Sequence, residues 1–234
     1  MPLRSDPRWL VLFDLDHTLV DLSAEHHVGF RAALRVGYGF IGDYDGRQHG
    51  GETWPNAMRA VLGSAGWSEP AIEARLQDSQ RLAHETIVDV LAADLRHAVL
   101  PGVPALLQAL RQCNHAMAVG TGSLSPTVEV ILDRAGLAGF FTARACGDEA
   151  LQRVDVWRLA MERAARASGR PYLPSETVLI GDTPRDIHAA RLIGARAVSV
   201  ATGAFDIHQL VDHQPDAVLP TLENTKAALD AILG

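Results

Sequence analysis

Two carboxylates one residue apart, Asp14 and Asp16, close an apolar run from Trp9 to Phe13, and Thr18 follows two residues later. Such a run suits a strand covered on both faces, as in a parallel sheet, and ligands of those sheets sit just past the carboxyl ends of the strands. Strand alternation turns residues i and i+2 to one side, so the two acidic groups face one small volume. Hard oxygen donors so placed suit a divalent cation. A plain acidic turn would use the same residues, so the other segments decide.

Three later segments also end strands in chemistry. Ala116 to Val119 leads into Thr121, flanked by Gly120 and Gly122, which lets a hydroxyl and bare backbone N–H groups approach an anion. Val178 to Ile180 leads into Gly181-Asp182-Thr183-Pro184-Arg185-Asp186. An N-capping role would account for Asp182 and a surface salt bridge for Asp186. Between these segments Arg153 stands just before a helical stretch, where a solvated face would explain it equally well.

The elements that must position these residues alternate. Strands are predicted at Leu10 to Phe13, Ala116 to Val119, Thr177 to Ile180 and Ala197 to Val200, with helices between them, which reads as βαβ units and an α/β fold with a mostly parallel sheet. Pro126 to Ala135 and Pro184 to Ile193 each have Pro near the start and Gly just past the end of a helix. Asp155 to Ser168 and Leu222 to Leu233 carry apolar residues on helical spacing. From Asp21 onward the texture changes to three helical patterns, at about Ala24 to Val36, Trp54 to Leu62 and Glu69 to Leu95. The division expected is a core of residues 1–20 and 97–234 with an inserted helical module of residues 21–96.

The 234 residues are 47% hydrophobic, enough for a sizeable interior, and the net charge of −7 offers no electrostatic footprint for nucleic acid or an anionic membrane. A small-molecule partner is expected. Cys113 and Cys146 supply neither a disulfide framework nor a metal knuckle. No apolar stretch reaches bilayer length and the first residues lack a signal-peptide pattern, so a soluble cytoplasmic protein is expected. Lys226 is the sole lysine.

The order of the four segments resembles the haloacid dehalogenase superfamily, phosphatase-rich and built on a DxDxT motif. Asp14-Leu15-Asp16-His17-Thr18 matches its first motif, Thr121 its second, Arg153 its third, and the stretch from Gly181 to Asp186 its fourth. The helical module lies where that family inserts its C1 cap. The resemblance implies a Rossmann-like three-layer core and a Mg²⁺-dependent phosphatase for a small phosphorylated metabolite. It implies Asp14 as nucleophile, Asp16 as acid and base, and Thr121, Gly122 and Arg153 as holders of the phosphoryl group. It implies Mg²⁺ ligation by Asp14, the Asp16 carbonyl and Asp182, with Asp186 less direct. A neighbouring charge and partial burial are expected to push Asp16 upward in pKa.

Two positions depart from the family pattern. His17 stands where glycine is usual, which either constrains the loop or offers an extra group to the substrate. The third-motif cation is commonly lysine; Arg153 replaces it here, with Arg144 and Arg158 as alternatives.

Asp16 favours phosphate esters over haloacids, and a cap without lysine disfavours Schiff-base chemistry. A sugar-phosphate type phosphomutase and a silent binding protein on the same fold stay as alternatives. Arg47, His49, Tyr38 and Glu52 lie on glycine-rich loops from which they could reach a leaving group, Arg47 suiting an acidic ester such as phosphoglycolate, although surface decoration more readily accounts for any one of them. The histidines, His26-His27 among them, read as surface or packing residues. A monomer or homodimer is expected.

Overall fold

The computed structural model describes residues 9–42 and 49–234. Residues 1–8 and Arg47 therefore lie outside the described residues.

A six-stranded sheet runs in the order β3-β2-β1-β4-β5-β6, with every neighbouring pair parallel. Its strands are β1 (Leu10–Phe13), β2 (Ala116–Gly120), β3 (Ala143–Ala145), β4 (Thr177–Gly181), β5 (Arg196–Val200) and β6 (Ala217–Leu219). The three-residue edge strands β3 and β6 were not anticipated, being too short for an alternation pattern to register.

The period of two in β1 divides the interior. Val11 and Phe13 join Met117, Val119, Val178 and Ile180 on one face, packed by α4 (Val103–Gln112), α5 (Ser125–Arg134) and α9 (Thr225–Leu233). Leu10 and Leu12 join Ala118 and Leu179 on the other, packed by α6 (Arg153–Ser168), α7 (Pro184–Ile193) and α8 (Ile207–Val211). Helix, sheet and helix form three layers, and continuous burial of the strands follows from both faces being covered. Parallel pairing sends the carboxyl ends of β1, β2 and β4 to the same edge, which gathers Asp14, Thr121 and Asp182.

Between β1 and α4 lie α1 (Ser23–Ala32), a π-helical turn at Ala33–Gly37, α2 (Trp54–Ser64) and α3 (Glu69–Val90). Phe30, Leu34, Trp54, Met58, Leu62, Ile72 and Leu76 form an apolar cluster of their own there. Helix α3 stops at Val90 rather than reaching Leu95, because Leu91 turns extended and, with Leu95, packs into the layer beneath the sheet.

Candidate active site

Asp14 ends β1 with its N–H donating to the Ile180 carbonyl at 2.9 Å, so the strand ladder itself fixes where its carboxylate stands. Its partners are buried with it. Carboxylate oxygens of Asp14, Asp182 and Asp186 all lie within 4.8 Å of one another. Arg153, 7% exposed, donates from Nη2 to Asp14 Oδ1 at 2.5 Å and to Asp186 Oδ1 at 2.8 Å, and from Nε to Asp186 Oδ1 at 3.0 Å. Its guanidinium also lies over the Trp157 ring, 4.9 Å from the centroid, a cation–π contact that fixes its plane.

Of the three candidate arginines, Arg153 is the one at this cluster. Arg144 pairs with Glu129 at 3.2 Å and Arg158 with Asp155 at 2.9 Å, both away from the carboxylates. Asp186 is 2% exposed rather than a surface partner, and its Oδ2 accepts the Thr183 hydroxyl at 2.7 Å. Both of its oxygens are thus engaged in holding Arg153 and the start of α7. Residue Thr183, not Asp182, takes the N-cap position, which leaves the Asp182 carboxylate directed at the cluster.

The electrostatics follow from crowding. Burial is the largest influence on Asp14; with Asp186 and Asp16 nearby it outweighs the pull of Arg153 and raises the carboxyl from 3.8 to about 7. Burial, then Asp14 and Asp186, also hold Asp182 well above the ordinary carboxylate range. Burial would lower Arg153, but Asp14 and Asp186 more than reverse it, so the guanidinium keeps its proton. One cation against three buried carboxylates leaves excess negative charge, and a divalent ion bound by hard oxygens fits the set.

Asp16 behaves differently from expectation. Its Oδ2 accepts the Ser123 hydroxyl at 2.8 Å, and its Oδ1 forms an ion pair with His26 Nε2 at 3.1 Å. Burial pushes Asp16 up, yet His26 and Ser123 outweigh it and bring the carboxyl down to about 2. His26 is raised in turn, with Asp16 overcoming its burial. The expected upward shift of Asp16 is corrected by a residue of α1 that the sequence left as surface or packing. No local signal marks it: His26 lies in the first turn of α1, the helix that follows β1, and only its packing beside Asp16 sets it apart.

Thr121 is 1% exposed, held by its N–H to the Ala145 carbonyl at 3.0 Å, and its hydroxyl accepts from the Ser123 N–H at 3.2 Å. At Gly122 a Cβ would stand 2.0 Å from the Glu52 carbonyl oxygen, so glycine is what lets the loop before α2 lie on the core. That loop is pinned by Trp54 N–H donating to the Gly122 carbonyl at 2.8 Å and by Arg185, whose Nε reaches Glu52 Oε1 at 2.9 Å and whose Nη1 reaches the Gly50 carbonyl at 2.7 Å.

These elements enclose a cavity of about 470 Å³. Its floor is Asp14, Asp16, Thr121, Gly122, Arg153 and Asp182, and its roof includes His26, Phe30, His49, Glu52 and Trp54. His49 and Glu52 line it rather than decorating the surface. Tyr38 does not: it is buried in the helical cluster, with its hydroxyl donating to the Ile72 carbonyl at 2.8 Å.

The family model for haloacid dehalogenase-like hydrolases matches residues 10–194. The chain belongs to that family. It is 30% identical to a phosphoglycolate phosphatase of Synechococcus elongatus, over 95% of this chain and 98% of that protein. A hydrolase from Pseudomonas syringae shares the fold with a TM-score of 0.73 at 23% identity, covering 95% of this chain and 98% of that one. A β-phosphoglucomutase of Clostridium difficile does so with the same TM-score, 0.73, at 16% identity, covering 96% of each chain. The fold is thus shared with proteins of different names, so it does not by itself fix the reaction of this hydrolase. Among the described residues no helix is long and apolar enough to cross a membrane.

Proposed function

We propose that this hydrolase is a Mg²⁺-dependent phosphatase of a small phosphorylated metabolite. The observation that carries the reading is the shared placement of Asp14, Asp182 and Arg153 at the floor of one cavity roofed by α1 and the loop before α2. Phosphoryl transfer asks chiefly for positioning and for neutralised charge, and the floor supplies both. Bound by Asp14, the Asp16 carbonyl and Asp182, the ion would offset the charge of phosphoryl oxygens and carboxylates together.

Asp14 attacks phosphorus in line; the bond to the ester oxygen breaks and an aspartyl-phosphate forms. Thr121, the Gly122 N–H and Arg153 hold the equatorial oxygens. The leaving alkoxide takes a proton from Asp16, which His26, an ion-pair partner at 3.1 Å whose own proton affinity is raised by Asp16, resupplies. Charge developing on the ester oxygen draws that proton across the pair. Water then attacks the same phosphorus while Asp16 accepts its proton, releasing phosphate and restoring Asp14. The mutase alternative would replace this water with a sugar hydroxyl, and a complete set of Asp14, Asp16, Thr121 and Asp182 argues against a silent binding protein.

The test is phosphate release from phosphoglycolate, sugar phosphates and nucleotides with and without Mg²⁺. Release that needs the ion and vanishes in Asp14→Asn supports the reading; isomerised ester without free phosphate would turn it into a mutase, and undiminished Asp14→Asn activity would end it.

A further inference from the structure

His17 occupies backbone that glycine prefers. Its φ is +58°, in the left-handed region, where a side chain costs conformational energy. The loop does not relax: His17 N–H donates to the Val20 carbonyl at 2.7 Å, and the Thr202 hydroxyl donates to the His17 carbonyl. A glycine would satisfy the same two bonds without the strain. The imidazole is not buried as packing either, since its side chain is 30% exposed and lines the cavity beside Asp14, Asp16 and Asp182. Asp21 Oδ1 stands 3.6 Å from its Nδ1. Arg153, meanwhile, is bound to Asp14 and Asp186 and faces the phosphoryl side. On the phosphatase reading, an ester with its phosphorus over Asp14 would turn its alcohol part toward the stretch of cavity wall that His17 lines.

We propose that His17 is a specificity-determining residue that hydrogen-bonds an oxygen substituent on the carbon next to the ester carbon of the leaving group. This rests on the phosphatase reading above. Two alcohol classes carry that chemistry, a neighbouring hydroxyl as in glycerol phosphate and a neighbouring carboxylate as in phosphoglycolate. An imidazole ring can accept from a hydroxyl through a bare nitrogen or donate to a carboxylate through an N–H. Sites built to hydrogen-bond a substrate oxygen reject analogues that lack it, so ethyl phosphate is the natural reference.

The experiment measures kcat/KM for phosphoglycolate, glycerol phosphate and ethyl phosphate with the full chain, His17→Gly and His17→Asn, alongside thermal melting of each. In His17→Gly the ratio of the preferred oxygenated ester to ethyl phosphate falls about tenfold, while Tm stays within about 2 °C, because strain relief offsets the looser unfolded chain. Asparagine tolerates left-handed backbone and keeps a hydrogen-bonding tip, so His17→Asn retains most of the ratio. Which oxygenated ester loses more identifies the alcohol class. An unchanged ratio in His17→Gly, a Tm drop well beyond that range, or His17→Asn as poor as glycine overturns the role of His17 while leaving the phosphatase standing. Absence of phosphate release from every ester by the native chain overturns both.

Discussion

His26 Nε2 stands 3.1 Å from Asp16 Oδ1, joining α1 by an ion pair to the carboxylate two residues past Asp14. Asp16 lowered to about 2 adds stability that is present above its unfolded value near 3.8 and is lost as pH falls through about 2. His26, raised, adds stability that is full below about 6.5 and is lost as pH rises through its folded value. The pair is therefore strongest between those limits.

We expect His26→Ala to cost about 1–2 kcal/mol near pH 5, with a smaller deficit at both pH extremes, as read by denaturant unfolding across pH. In turnover, His26→Gln slows alkyl phosphates roughly 10- to 100-fold, and p-nitrophenyl phosphate far less, since only a poor leaving group needs the proton. Equal slowing of both esters would detach His26 from proton delivery.

The crowded carboxylates make cation binding a proton-coupled event. Asp14 sits at about 7 against an unfolded value of 3.8, so the ion-free fold binds more protons than the unfolded chain between those values. Stability of the ion-free protein then falls as pH rises from about 4 to 7, by at most about 4 kcal/mol. Mg²⁺ reverses this by taking the place of the proton. We expect calorimetry in buffers of different ionisation enthalpy to show proton release on Mg²⁺ binding at pH 6 that fades by pH 8, and Asp14→Asn to stabilise the ion-free protein.

The floor carboxylates and Thr121 were legible because each closes an apolar strand, and parallel pairing leaves the ends of β1, β2 and β4 no choice but to meet. Arg153 was legible only through its place before α6; its tie to Asp14 spans 139 positions and leaves no local pattern. His26 was missed for a related reason. Its helix carries few apolar residues to mark an inward face, and only the packing of α1 onto the end of β1 brings His26 beside Asp16. The edge strands β3 and β6 were invisible because three residues cannot display a period.

Arg153 cannot be exchanged for lysine without loss. Its Nη2 bridges Asp14 and Asp186 while Nε adds a second bond to Asp186 and the plane stacks on Trp157. An ammonium keeps the charge but not the fork or the stacking. We expect Arg153→Lys to retain the fold with kcat lowered roughly 100-fold. Arg153→Ala, which leaves buried carboxylates unpaired, should lose about 3–5 kcal/mol in the absence of Mg²⁺. Near-native kcat in Arg153→Lys would reassign the phosphoryl contact.

Arg185 ties the loop before α2 to the core from the middle of the fourth motif. Its two bonds differ in kind: Nε meets the Glu52 carboxylate, whereas Nη1 meets the Gly50 carbonyl. The ion pair is partly open to solvent, so its loss costs less than about 1 kcal/mol of fold stability. Its effect lies instead in holding the cavity roof, where Glu52 and Trp54 stand over the floor. We expect Arg185→Ala to raise KM about tenfold with little change in Tm, and Glu52→Gln to do less because the Gly50 bond survives. The double variant should match Arg185→Ala alone, since both changes remove the same tether. Additive losses in steady-state kinetics would mean that Glu52 acts on the substrate independently of Arg185, and that the loop is held by Thr53 and Trp54 without its help.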